Sequence, residues 1–286
     1  MPIQDHPLQK VAQTSRPSGL RLDGLCLALL LTSLAYAPAF ASGDVGRPAG
    51  PAPVSGPSSG AAMARAPAPD GVHGSPRRAY FGQERASPDA VHIADWVVDS
   101  TDNQGMPFII VDKAHASVLV FNADGRLQGA APALLGLALG DDSVPGIGER
   151  KMSTIRPEER TTPAGRFVSS LARDIHGQEV LWVDYDTAIA LHRVVKGTPG
   201  EGRAQRLDSL TSDDNRVSYG CINVPVKFYD KLVSPAFTGT NGVVYILPET
   251  RSAREVFGSY DVQERALQVA ARQAPTTTNS SAAIGK

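Results

Sequence analysis

The stretch Pro107-Phe108-Ile109-Ile110-Val111-Asp112-Lys113-Ala114-His115-Ala116-Ser117-Val118-Leu119-Val120-Phe121-Asn122-Ala123-Asp124-Gly125 decides the fold class. Its two runs of β-branched and aromatic residues, 108–111 and 118–121, are too short for helices and suit a pleated surface. Asn122-Ala123-Asp124-Gly125 ends the second run with residues that favour a tight reversal, as in a hairpin loop. Similar runs recur outward from this pair: Arg166-Phe167-Val168, Val180-Leu181-Trp182-Val183, Ala188-Ile189-Ala190-Leu191 and Val243-Val244-Tyr245-Ile246-Leu247. Short strands separated by Gly, Pro and Asp predict a mainly β domain, a sandwich or barrel, with a few short helices. One helix starts at Pro225 and carries Phe228, Tyr229, Leu232 and Val233 at helical spacing. Another starts at Ser252, where Glu255 completes a capping box, and runs towards Arg272 with Gly258 as an interruption.

The 286 residues are 42% hydrophobic, enough to build a sizeable core. Lys and Arg number 28 against 29 Asp and Glu, so the charge balance gives no electrostatic case for a nucleic-acid partner. Two cysteines exclude a disulfide-dense scaffold and a cysteine-rich zinc site.

Lys10, Arg16 and Arg21 precede an apolar run from Leu25 to Ala39, which ends in the small-x-small site Ala39-Phe40-Ala41. That order is a secretory signal over residues 1–41, cut after Ala41. The run falls short of the ~20 apolar residues that span a bilayer, so no stable transmembrane anchor is expected after cleavage. The expected location is the periplasm or cell envelope. Residues 42–86, rich in Gly, Pro, Ala and Ser, read as a disordered linker. Residues 87–250 form the predicted domain, and residues 251–286 a C-terminal helix and disordered tail.

Cleavage removes Cys26 and leaves Cys221 as the one thiol of the mature chain. It lies in Arg216-Val217-Ser218-Tyr219-Gly220-Cys221-Ile222-Asn223-Val224-Pro225. Gly220 permits a tight turn and keeps bulk away from the sulfur. A helix N-terminus at Pro225 aimed at the sulfur would favour thiolate, and the N–H groups of Gly220 and Cys221 are candidate oxyanion donors. A cysteine nucleophile needs a base, and histidine suits that task. His73, His92, His115, His176 and His192 remain after cleavage. His192 closes the apolar strand 188–191 and so sits on a rigid element; spacing alone fits a structural histidine as well as a base.

Ser218-Tyr219-Gly220-Cys221-Ile222-Asn223 resembles the active-site signature of the L,D-transpeptidase catalytic domain family, usually Ser/Thr-His-Gly-Cys followed by an apolar residue and Asn or Arg. Ile189-Ala190-Leu191-His192 is similar to the family's strand ending in histidine, and Thr162-Pro163-Ala164-Gly165-Arg166-Phe167 to its Thr-Pro-x-Gly-x-Phe turn. The opening hairpin and the closing strand 242–247 complete a resemblance that runs in order from Pro107 to Pro248. It implies a β-sandwich or barrel-like envelope enzyme that acts on peptidoglycan stem peptides without metal or organic cofactor. Cys221 would attack the third stem residue and expel the terminal D-Ala, with His192 as base. Ser218, Tyr219 and Gly220 would complete the catalytic segment. An amine on a second stem would take the acyl group and form a 3→3 cross-link.

The sequence departs from the family at two places. Tyr219 stands where the family has histidine, and a phenol is no imidazolium at neutral pH. Twenty-five residues separate His192 from Ser218, more than the family's usual spacing, and the excess falls in a polar loop over residues 197–215. Asn223, Arg216 and Arg193 are the candidates for binding substrate carboxylates. Two alternatives share these residues: an L,D-carboxypeptidase or amidase of the same fold, and a catalytically weakened wall-binding protein.

Overall fold

The structure, a computed structural model, describes residues 75–273. The expected signal peptide, most of the expected linker, His73 and the end of the tail lie outside those residues. Among the described residues no helix is long and apolar enough to cross a membrane.

The chain is mainly β. Strands β1 (Phe108–Asp112) and β2 (Ser117–Phe121) form the antiparallel pair that the opening stretch predicts, with Phe108 opposite Phe121 and Asp112 opposite Ser117. The turn that follows is held by Asn122, whose Oδ1 accepts from the N–H groups of Asp124 and Arg126 at 3.2 and 2.8 Å. It leads into β3 (Leu127–Pro132), which the runs of β-branched residues did not mark because its sequence is Leu-Gln-Gly-Ala-Ala-Pro. Gly129 makes room there for a helix: a Cβ on it would lie 2.6 Å from Leu232 Cδ1.

The remaining strands are β4 (Leu135–Gly136), β5 (Gly165–Arg173), β6 (Glu179–Asp184), β7 (Ile189–Arg193), β8 (Arg216–Ser218), β9 (Ile222–Val224) and β10 (Gly242–Ile246). Eight of them make one sheet in the order β3-β2-β1-β10-β5-β6-β7-β9. The β1–β10 and β7–β9 pairs are parallel and the others antiparallel. β4 and β8 form a separate parallel pair. Leu134, just beyond β3, exchanges backbone hydrogen bonds of 2.8 and 2.9 Å with Asn223 in β9. That exchange links the two ends of the sheet order and nearly closes it into a barrel.

Alternation along the strands sets two buried layers. Ile109, Val111, Val118, Val120, Leu191, Ile222 and Val224 pack with Phe228, Tyr229, Val233 and Phe237. The latter come from a helical segment made of α3 (Val226–Phe228), a π-helical turn (Tyr229–Val233) and α4 (Ser234–Phe237), the helix expected at Pro225. Phe108, Ile110, Leu119, Phe121, Val243 and Tyr245 face the other way, onto α1 (Pro88–Ser100). The second expected helix is also present. α5 (Ala253–Phe257) has the Ser252–Glu255 capping box and stops at Gly258, and α6 (Val262–Gln273) follows.

Two expectations need correction. α1 was not anticipated, although Ser87 caps it through a 3.1 Å bond from the Ala90 N–H and Pro88 fills its first turn. The domain also begins before Ser87. Asp95 of α1 accepts from the Ala79 N–H and from Arg78, both at 2.9 Å, and Tyr80 bridges Arg126. Composition alone drew the linker boundary too late because Ala79, Phe81 and Ala86 pack against the α1 core.

Candidate active site

Strands β7 and β9 bring the two candidate catalytic residues together. They pair in parallel with Leu191 opposite Ile222 and His192 opposite Asn223. Leu191, Ile222 and Val224 enter the main core, so their alternating neighbours face outward. Cys221 packs with Ala190, Val180 and Trp182 on that outer face. His192 is two residues beyond Ala190 and projects from the same face. Both residues are half-buried; His192 lies in β7, and Cys221 immediately precedes β9 on the same outer face. The Cys221 sulfur lies 3.7 Å from the Ala188 carbonyl oxygen.

His192 is oriented by its own backbone. Its Nδ1 lies 2.8 Å from the carbonyl oxygen of Arg193. A carbonyl can only accept, so Nδ1 carries the proton and Nε2 keeps a lone pair. That is the tautomer a general base requires. The other described histidines occupy other elements: His92 is in α1 and bonds Ser259 at 3.1 Å, His115 bonds Asp112 in the β1–β2 turn at 3.0 Å, and His176 lies between β5 and β6.

The residues before Cys221 form a closed turn. Ser218 Oγ donates to the Cys221 carbonyl at 2.6 Å and accepts from the Gly220 N–H at 3.1 Å. Ser218 and Gly220 therefore shape the loop, and the Gly220 N–H is directed at a side chain in place of the expected oxyanion position. Gly220 has φ +124°, and a Cβ there would lie 2.6 Å from Thr161 O and 2.7 Å from Ile189 Cδ1. Gly220→Ala should lower stability by about 2–3 kcal/mol through strain and overlap, visible as a lower thermal midpoint. An unchanged midpoint would show that the loop can rearrange.

The expected helix dipole at the sulfur is absent. From Cys221 the chain runs through β9 to Pro225, so about 13 Å of extended chain separates Cys221 from the first helical turn. The dipole acts mainly within that turn.

A buried threonine ties the loop to the domain. Thr162 is fully buried. Its hydroxyl donates to the Gly220 carbonyl and accepts from the Gly136 N–H, both at 2.8 Å. Its own carbonyl accepts from Lys113 Nζ at 3.0 Å. Lys113 is buried with Asp141, to which Nζ is bonded at 2.8 Å, and it also donates to Gly140 O at 2.6 Å. Burial opposes ionisation of Asp141. Hydrogen bonds from Lys113, Thr250 and the Glu249 and Thr250 N–H groups outweigh it and hold the carboxyl well below the usual range.

The three candidates for carboxylate binding are engaged within the fold. Arg216 forms a two-pronged ion pair with Glu249 and donates to Lys113 O at 3.2 Å. Arg193 bonds Asp230 at 2.7 Å and Glu179 O at 3.0 Å, and stacks on Tyr229 at 4.2 Å. Asn223 is 1% exposed, accepts from Arg203 at 3.1 Å and donates to Cys221 O at 3.3 Å. Arg203 belongs to the long polar loop, where α2 (Arg203–Leu207) forms, and it is itself buried. The loop therefore packs beside His192 through Asn223. Tyr219 is half-buried, and the Arg160 guanidinium lies 3.8 Å above its ring. Thr162 and Arg160, which meet Gly220 and Tyr219, were not among the expected site residues, although the Thr162-Pro163-Ala164-Gly165 turn pointed to that segment.

No protein-family model and no curated protein matches the chain. Among solved structures, it is similar to the helical cell shape determining protein Pgp2 from Campylobacter jejuni, with 14% identity, 56% of this chain and 52% of that one covered, and a TM-score of 0.35. It is also similar to an L,D-transpeptidase from Xylanimonas cellulosilytica, with 14% identity, coverage of 49% and 60%, and a TM-score of 0.30. An L,D-transpeptidase from Mycobacterium tuberculosis gives 15% identity, coverage of 49% and 57%, and a TM-score of 0.31. The chain thus spans between 52% and 60% of the lengths of these three.

Proposed function

We propose that this chain is an exported L,D-transpeptidase that remodels peptidoglycan through a thioester on Cys221. The observation that carries the reading is the placement of Cys221 and His192 on one face of adjacent parallel strands, with the His192 Nδ1 proton held by Arg193 O. His192 Nε2 takes the thiol proton while the sulfur attacks the carbonyl of the third stem residue. The C–S bond forms, the amide bond to the terminal D-Ala breaks, and His192 returns the proton to the leaving amine. An amine of a second stem then attacks the thioester. The sulfur leaves as thiolate, His192 accepts the amine proton, and a 3→3 cross-link results. These steps call for neither metal nor organic cofactor. The basic N-terminus and apolar run that end at Ala41 support export to the periplasm or cell envelope.

The test is incubation of residues 42–286 with a disaccharide-tetrapeptide, with Cys221→Ala in parallel, followed by product masses. Release of D-Ala with a 3→3 dimer, absent from the variant, is the expected result. Tripeptide alone would mean that water takes the acyl group and would make the protein an L,D-carboxypeptidase. No release by folded protein would overturn both readings in favour of a wall-binding role.

A further inference from the structure

We infer that Arg160, stacked on Tyr219, is the specificity-determining cation of this site and binds a substrate carboxylate beside Cys221; the identity of that carboxylate as part of a stem peptide rests on the function proposed above. Arg193 and Arg216 flank the two motifs in sequence, but carboxylates of the fold already neutralise both. Arg160 differs. Its Nε and Nη2 donate to the Ile155 carbonyl at 3.4 and 3.2 Å, and among the described residues it makes no ion pair. The adjacent carboxylate, Glu159, is taken by Arg150 at 2.9 and 3.1 Å and by the Arg156 N–H at 2.8 Å. The Arg150 bonds, helped by Arg156, hold Glu159 ionised down to about 2, so it stays committed to them.

The backbone fixes where this charge sits. The Arg160 carbonyl accepts from the Ala138 N–H at 3.1 Å, and the next residue, Thr161, is in contact with Gly220. The guanidinium lies 3.8 Å over the ring of Tyr219, two residues before Cys221. An aromatic face attracts a guanidinium without using its N–H donors. A planar guanidinium fork stacked on the ring two residues before Cys221 suits a carboxylate.

The probe is the full chain treated with iodoacetate, an anion, and iodoacetamide, its neutral counterpart, with alkylation of Cys221 followed by the mass of its peptide, apart from that of Cys26. The iodoacetate to iodoacetamide rate ratio, normalised to free glutathione, should exceed one. Arg160→Gln should lower the ratio about tenfold, and Arg160→Lys should keep part of it. Equal ratios in wild type and Arg160→Gln, or a wild-type ratio of one or less, would overturn the proposal; the wild-type ratio decides even where a variant fails to fold. Stem tetrapeptides amidated at the terminal D-Ala or at the third residue's side-chain carboxyl then identify which carboxylate is bound. In wild type one amide should acylate Cys221 about tenfold more slowly than the acid, a difference lost in Arg160→Gln. Equal rates for both amides and the acid would overturn the stem-peptide assignment. A cation effect on iodoacetate with no acylation by any tetrapeptide would leave the carboxylate site standing and overturn the peptidoglycan reading alone.

Discussion

His192→Gln should slow acylation of Cys221 by a stem tetrapeptide about a hundred- to ten-thousand-fold, the range that a positioned general base contributes. Glutamine fills similar space on β7 and preserves the strand, but its amide cannot take a proton from the thiol. The histidine is prepared for that step because Arg193 O fixes its Nδ1 proton at 2.8 Å and leaves Nε2 basic. Single-turnover rates against pH provide the check. The wild-type rate should fall on the acid side as Nε2 takes up a proton, and the variant should lose that limb while retaining its thermal midpoint. A variant with wild-type rate and profile would make His192 a structural residue, the alternative that spacing left open.

Asp141→Asn should destabilise the domain by about 3–5 kcal/mol, because it leaves the buried Lys113 ammonium without its closest carboxylate. The loss should lower the melting temperature by about 10 °C. Lys113 Nζ joins Gly140, Asp141 and Thr162, and Thr162 carries the Gly220 carbonyl. Damage there should therefore reach the nucleophile loop and lower activity as well as stability. The pH dependence has a definite sign. Asp141 titrates below its unfolded value, so its contribution is complete above the usual carboxylate range and disappears as pH falls through the native value. Wild-type stability should thus drop more steeply than that of Asp141→Asn on acidification, as calorimetry across that range would measure. Parallel curves would mean that Asp141 contributes no net ionic stabilisation.

Much of this architecture was legible in the sequence because its causes are local. Residues 108–111 and 118–121 became β1 and β2, Asn122 made the turn, Ser252 and Glu255 capped α5, and Gly258 ended it. α1 carried an equally local signal in Ser87-Pro88, followed by Ala90, Ile93, Ala94 and Val97 at helical spacing, that the sequence reading passed over. Cys221 and His192 were legible as candidates because each stands at an apolar strand. Their shared face depends on the β7–β9 register. What could not be read was the partner of each charge. Arg216 meets Glu249 thirty-three residues away, and Arg193 meets Asp230 thirty-seven residues away. Flanking position made both look available, whereas tertiary pairing consumed them. Arg160 looked ordinary beside Glu158 and Glu159 until the fold placed it over Tyr219. Asn223 likewise changed meaning once Arg203 from the long loop reached it.

The proposed transpeptidation requires a covalent acyl intermediate on Cys221, and intact-protein mass spectrometry tests that directly. A chain of residues 42–286 is mixed with disaccharide-tetrapeptide, quenched in acid within the first turnovers and weighed, and the modified peptide is then located. The predicted result is a mass gain equal to the tetrapeptide donor minus D-Ala, on Cys221 alone, and absent from Cys221→Ala. Stoichiometric release of D-Ala from folded wild type with no adduct on Cys221 at any quench time, or the same adduct in Cys221→Ala, would contradict it.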